Sequence, residues 1–130
     1  MSEITPLQGE LQLQIMAALW RIQSATVEQV REALPVRYRG AYTTVQTVLN
    51  RLSDRGLVGR ERRGNVIVYA PSLTEAQYLS QSIESTLAGA SADARQVALA
   101  SLVGGLEASE LSDLRRLAQD VARRRDQGQR

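Results

Sequence analysis

Apolar residues recur along the chain at two spacings, and the changes between them mark its elements. Leu7, Leu11, Ile15, Leu19 and Ile22 follow helical steps, with Met16 and Trp20 beside them. Thr5-Pro6-Leu7-Gln8 has the form of a capping box with Pro at the first helical position. Ser24-Ala25-Thr26 reads as a short extended link. Thr26-Val27-Glu28-Gln29 is a second capping box, opening a helix that buries Val27, Val30 and Leu34 and ends before Pro35. Pro35 to Gly40 reads as a basic loop.

A third helix is expected over 42–55. At about 100° per residue, Tyr42, Val48, Leu49 and Leu52 all fall within about 60° of Val45, an apolar stripe of normal width. Thr43, Thr47, Asn50 and Asp54 point away from it, with Thr44 and Arg51 on one shoulder and Gln46 on the other. Gly56 stands where a left-handed C-terminal cap belongs, and Leu57 can close behind it. Val58 to Arg62 then has room for a strand, Gly64-Asn65 is a tight-turn dipeptide, and Val66 to Tyr69 is a second strand before Pro71.

Three more helices follow. Thr74-Glu75-Ala76-Gln77 is a third capping box, ahead of Leu79, Ile83 and Leu87. A helix from Ala92 to Val103 carries Val97, Leu99, Leu102 and Val103 and stops at Gly104-Gly105. The last carries Leu111, Leu114, Leu117, Ala118 and Val121 and ends in Arg123-Arg124-Arg125. Helix, short strand, helix, helix and hairpin is the order of a winged helix-turn-helix, here over 1–72. The fold expected is mainly α with a small β-hairpin, followed by a helical region over 73–130.

Charge changes this picture more than size does. All 16 basic residues are Arg, a mark of a GC-rich genome more than of function. From Arg37 to Arg63, seven Arg stand against Asp54 and Glu61, a net charge of +5; from Leu73 onward, seven Arg meet eight acids. A basic reading half and a near-neutral helical half suggest that only the first meets a polyanion. With no Cys and no His, thiolate and imidazole metal sites and the commonest catalytic bases are excluded. No cofactor or metal site is expected, no phosphate-cradling Gly loop or catalytic constellation appears, and an enzyme is not the reading. The N-terminus has no signal-peptide pattern, and the longest apolar run, Ile15 to Trp20, is too short to span a membrane. The cytoplasm is the expected compartment.

The stretch "AYTTVQTVLNRLSDRGLVGRERRGNVIVYAP", with "ATVEQVREALP" and "LQLQIMAALW" before it, resembles the BlaI/MecI-type penicillinase repressors, grouped with the CopY regulators. The likeness is close from Leu11 to Pro71 and looser to Val121. It implies a homodimeric repressor that binds an inverted-repeat operator in double-stranded DNA, with the third helix in the major groove and the wing on the backbone. Carried over by position, Thr43, Thr44, Gln46, Thr47 and Asn50 occupy the base-reading face. The residue chemistry agrees: Gln and Asn can pair bidentately with adenine, and Thr offers a hydroxyl and a methyl. Arg39, Tyr42, Arg51, Arg62 and Arg63 suit the phosphate backbone, which sets register without reading sequence.

Leu79, Ile83, Leu87, Leu102, Leu111, Leu114, Ala118 and Val121 are stripes that a winged helix with its own core does not need. A second subunit is the economical cover, although Leu79, Ile83 and Leu87 also suit a monomer core. Two family features are not carried over. Ala100 to Gly105, where the penicillinase repressors have an Asn-Phe cleavage site, holds no such pair, and the cysteine motif of the copper-responsive branch is absent. The inducing signal and any sensor or protease partner are therefore unassigned. The rival reading is a winged helix that binds protein without specific DNA binding, for which the arginines around the hairpin would be dispensable.

Overall fold

The computed structural model describes residues 9–128. The chain divides into two compact units, one ending at Ala88 and one beginning at Gly89.

The first unit contains α1 (Glu10–Ile22), β1 (Ala25–Thr26), α2 (Val27–Ala33), α3 (Tyr42–Asp54), β2 (Val58–Arg63), β3 (Val66–Pro71) and α4 (Glu75–Ala88). The capping box expected at Thr5 to Gln8, and Leu7 with it, lie outside the described residues. The box at Thr26 forms: its hydroxyl accepts from Gln29 N at 3.2 Å, and the Gln29 side chain accepts from Thr26 N at 2.9 Å. The loop expected from Pro35 to Gly40 holds one 3₁₀ turn, Val36–Tyr38. α3 ends as its sequence requires. Gly56 has φ 77°, Gly56 N donates to Ser53 O at 3.0 Å, and Leu57 N donates to Leu52 O at 3.0 Å. That pair of bonds is a Schellman motif, and it turns the chain into β2.

The hairpin pairs Arg63 with Val66 around Gly64-Asn65. Gly64 has φ 62° and Asn65 has no positive φ, the pattern of a type II′ turn with Gly first. Pro71 does not stop the second strand short: it pairs with Val58 at the end of the ladder. The extended link at Ala25-Thr26 does more than connect helices. It pairs antiparallel with β3, Ala25 against Tyr69, making a three-stranded sheet of order β1-β3-β2.

The core joins Ile15, Met16 and Leu19 of α1, Val27 and Val30 of α2, Val45, Leu49 and Leu52 of α3, and Tyr69 of β3. Tyr42 departs from the stripe expected for α3. It is the first residue of the helix, ahead of the first buried position, and 46% exposed. α4 starts with the capping box expected at Thr74, both bonds present. Its buried residues are Tyr78 and Ser82, whereas Leu79 and Ile83 of the expected stripe stay about half exposed. Trp20 explains that choice. Its indole donates to Leu73 O at 3.0 Å, and its ring stands 5.4 Å from the Tyr78 ring, so the aromatic pair sets which side of α4 faces inward.

The second unit contains α5 (Ala92–Gly104) and α6 (Ala108–Gly128). Ser91 Oγ caps α5 by accepting from Ala94 N at 3.2 Å, and the Glu110 carboxylate accepts from Glu107 N ahead of α6. α6 continues past Arg125 to Gly128. Neither helix has a buried residue, and Leu102, Leu111, Leu114, Leu117 and Val121 are all exposed. Among the described residues no helix is long and apolar enough to cross a membrane.

Candidate nucleic-acid interface

α3 is a 13-residue helix whose inner face is Val45, Val48, Leu49 and Leu52, all buried. Burial of that face fixes what the opposite face presents. Thr43, Thr44 and Thr47 are exposed, and Gln46 and Asn50 are half-buried. The helix begins without a side-chain cap, because its N-cap is Ala41. α2 and α5 in contrast start under a Thr or Ser oxygen. The positive end of the α3 dipole is thus left without a side-chain acceptor, an arrangement that suits an anion.

The reading-face residues differ in what they have left to offer. Thr47 Oγ1 donates back to Thr43 O at 2.8 Å, leaving its lone pairs and its methyl outward. Asn50 differs further. Its Oδ1 accepts from Arg60 Nη1 and from the Tyr69 hydroxyl, each at 2.9 Å, so its acceptor is engaged within the protein.

Strand alternation sorts the wing arginines. Arg60 stands opposite Tyr69 and Arg62 opposite Ile67, so both lie on the sheet face that meets α3. Arg63 lies on the other face with Glu61, and the two form an ion pair at 3.4 Å. Arg62, beyond a 3.3 Å bond from Nε to Gly64 O in its own turn, is exposed. Arg51 is exposed on the shoulder of α3, and its guanidinium has no hydrogen-bond partner among the described residues. Arg39, expected at the backbone, donates to Glu32 O at 2.9 Å and Leu34 O at 3.0 Å, closing the end of α2. Arg37 stacks on Tyr38, 4.6 Å from the ring centroid, and donates to its hydroxyl at 2.6 Å.

Arg60, which the sequence pattern does not single out, stands on the same sheet face as Arg62 and donates to α3. Its parity was the available signal, since only Arg60 and Arg62 share the alternation of Tyr69.

Residues 8–120 match the family model described as penicillinase repressor. The chain belongs to the penicillinase repressor family. The repressor is 39% identical over 118 residues to the transcriptional regulator BlaI of Mycobacterium tuberculosis, covering 89% of this chain and 85% of that one. It is 28% identical over 74 residues to the penicillinase repressor of Bacillus licheniformis, covering 57% of this chain and 58% of that one. Among solved structures it is similar to the DNA-binding domain of the repressor BlaI, with 29% identity and a TM-score of 0.50. That likeness covers 60% of this chain and 94% of the BlaI domain. The repressor is a DNA-binding transcriptional regulator built on a winged helix-turn-helix with additional C-terminal helices.

Proposed function

We propose that this repressor binds an inverted-repeat operator as a homodimer, inserting α3 into the major groove and laying the β2–β3 wing on the backbone. In this reading Thr43, Thr44, Gln46 and Thr47 face base edges, while Arg51, Arg62 and Tyr42 hold phosphates. The observation that carries it is the outward face of α3: short, uncharged hydrogen-bonding side chains, bordered by exposed Arg51 and by Arg60 and Arg62 on the wing. Long charged side chains would hold a helix off the groove floor, whereas these allow close approach. Residues 73–130 supply the dimer, since none of the apolar stripe residues of α5 and α6 is buried. Twofold symmetry then sets two reading helices about one helical turn of DNA apart, or a multiple of that. Such a protein works in the cytoplasm, where its DNA is.

The test begins by selecting bound fragments from genomic DNA with the purified repressor. A recurring inverted repeat should be retained over random duplex, with affinity falling steeply as salt rises. If the repeat is retained no better than random DNA, the operator reading fails.

Within the site the roles separate. Thr47→Ala should change which sequences bind, at about 1–3 kcal/mol per lost base contact. Because Ala is the better helix former, the same change should raise helix stability by about 0.5 kcal/mol. Competition binding against single-base operator variants, with a thermal melt, checks both.

Arg62→Ala should weaken every duplex alike and lower the salt slope by about 1. Arg63→Ala, on the opposite face of the hairpin, should leave that slope where it is. Salt titrations of the two variants decide between them.

A further inference from the structure

We propose that Asn50, Arg60 and Tyr69 form a lock that fixes the wing to the reading helix. In this assignment Asn50 is a positioning residue rather than a base reader, and Arg60 is a backbone-binding cation. The DNA half of the proposal rests on the operator reading above; the lock itself does not.

The chemistry of the three groups dictates their roles. Arginine carries donors only, so the Asn50 atom facing Arg60 Nη1 must be the amide oxygen. The same oxygen takes the Tyr69 hydroxyl, which fills both of its lone pairs. Bidentate pairing with adenine needs the oxygen and the amino group of one amide together. Asn50 can offer that pair only by giving up at least one of the two internal bonds. What remains is Nδ2, which has no partner among the described residues and can only donate.

The three residues come from three elements, 10 and 19 positions apart along the chain. Tyr69 is 1% exposed and held in the core, so its hydroxyl is a fixed point. β2 is an edge strand of the sheet, and Val58 is its only buried residue. Packing therefore does little to hold β2 beyond its base, and the Asn50 oxygen ties it back to α3.

Arg60 gains most from this arrangement. The one carboxylate next to it in sequence, Glu61, faces the other side of the hairpin and pairs with Arg63. A neutral amide thus holds the Arg60 guanidinium in place without neutralising it. An oriented cation with free donors, between the reading helix and the wing, is what a phosphate contact requires.

The experiment uses the full chain with Asn50→Ala, Asn50→Asp, Tyr69→Phe and Arg60→Ala. Amide hydrogen exchange is measured in the free protein, and binding to the selected operator and its single-base variants in parallel. The lock predicts that Asn50→Ala and Tyr69→Phe speed exchange in the hairpin by roughly five- to ten-fold. Asn50→Asp, which keeps the acceptor, should retain the wild-type protection. Asn50→Ala should weaken all duplexes by one common factor, and Arg60→Ala should lower the salt slope by about 1. Unchanged hairpin exchange in Asn50→Ala overturns the lock. A changed preference at one base pair in that variant overturns the positioning role and returns Asn50 to the readers. Should the wild-type protein itself fail to favour any operator, the DNA roles of both residues fall, and exchange in the free protein still judges the lock.

Discussion

Leu114→Glu is expected to make the repressor monomeric and to cost it about 10²- to 10⁴-fold in affinity for a two-half-site operator. Binding to an isolated half-site should be unchanged. The expectation follows from what α6 lacks. Leu111, Leu114, Ala118 and Val121 recur at three-four spacing, and none of them is buried within the chain. A stripe of that length covered by a second copy is a helix seam, and a carboxylate at its centre must be desolvated or must prevent docking. The loss on the full operator comes from linkage and involves no DNA contact. One bound half of a dimer holds the other at high effective concentration, and a monomer forfeits that gain. Helix content should fall as well, because α5 and α6 have no buried residue by themselves and most helical stability in proteins comes from packing an apolar face. Sedimentation, circular dichroism and paired titrations of half and full operators measure the three consequences. A Leu114→Glu protein that sediments as a dimer would remove this stripe from the interface.

Much of the first unit was legible because its signals are local. The capping boxes at Thr26 and Thr74 join residues three apart, and both formed as read. Gly56 announces its own cap, since a positive φ at a helix end favours glycine. The stripe from Val45 to Leu52 needs only the helical period. What stayed hidden depends on partners far along the chain. The short strand at Ala25-Thr26 was legible, but not its partner: it pairs with Tyr69 and Val68 of β3, more than forty positions away. Tyr78 faces inward because Trp20, on another helix, receives it. Asn50 reads as an outward residue on a helical wheel, and only the placement of Tyr69 and Arg60 shows where its oxygen goes. Arg39 likewise looks like free charge until the open carbonyls at the end of α2 are set beside it. Composition and period mark the interface; the division of labour inside it is tertiary.

Leu49→Ala should destabilise the first unit by about 2–5 kcal/mol, against a total of about 5–15 kcal/mol for a domain of ordinary stability. Leu49 is fully buried in the core, so removing its side chain leaves a cavity walled by residues of other elements. For a domain of this size the melting temperature should drop by on the order of 10–30 °C. Operator binding at growth temperature should fall with the folded fraction, although Leu49 never faces DNA. Two residues earlier on the same helix, Thr47→Ala should act in the opposite sense, adding stability while altering preference. The pair separates seating the helix from reading with it. At low temperature, where the Leu49→Ala protein is still folded, its ranking of single-base operator variants should match the wild type even as its melting point lies far below. A changed ranking there would mean that the reading face is not held as a rigid unit by Val45, Val48 and Leu52. An unchanged one places specificity in the outward side chains and leaves the core only the task of aiming them.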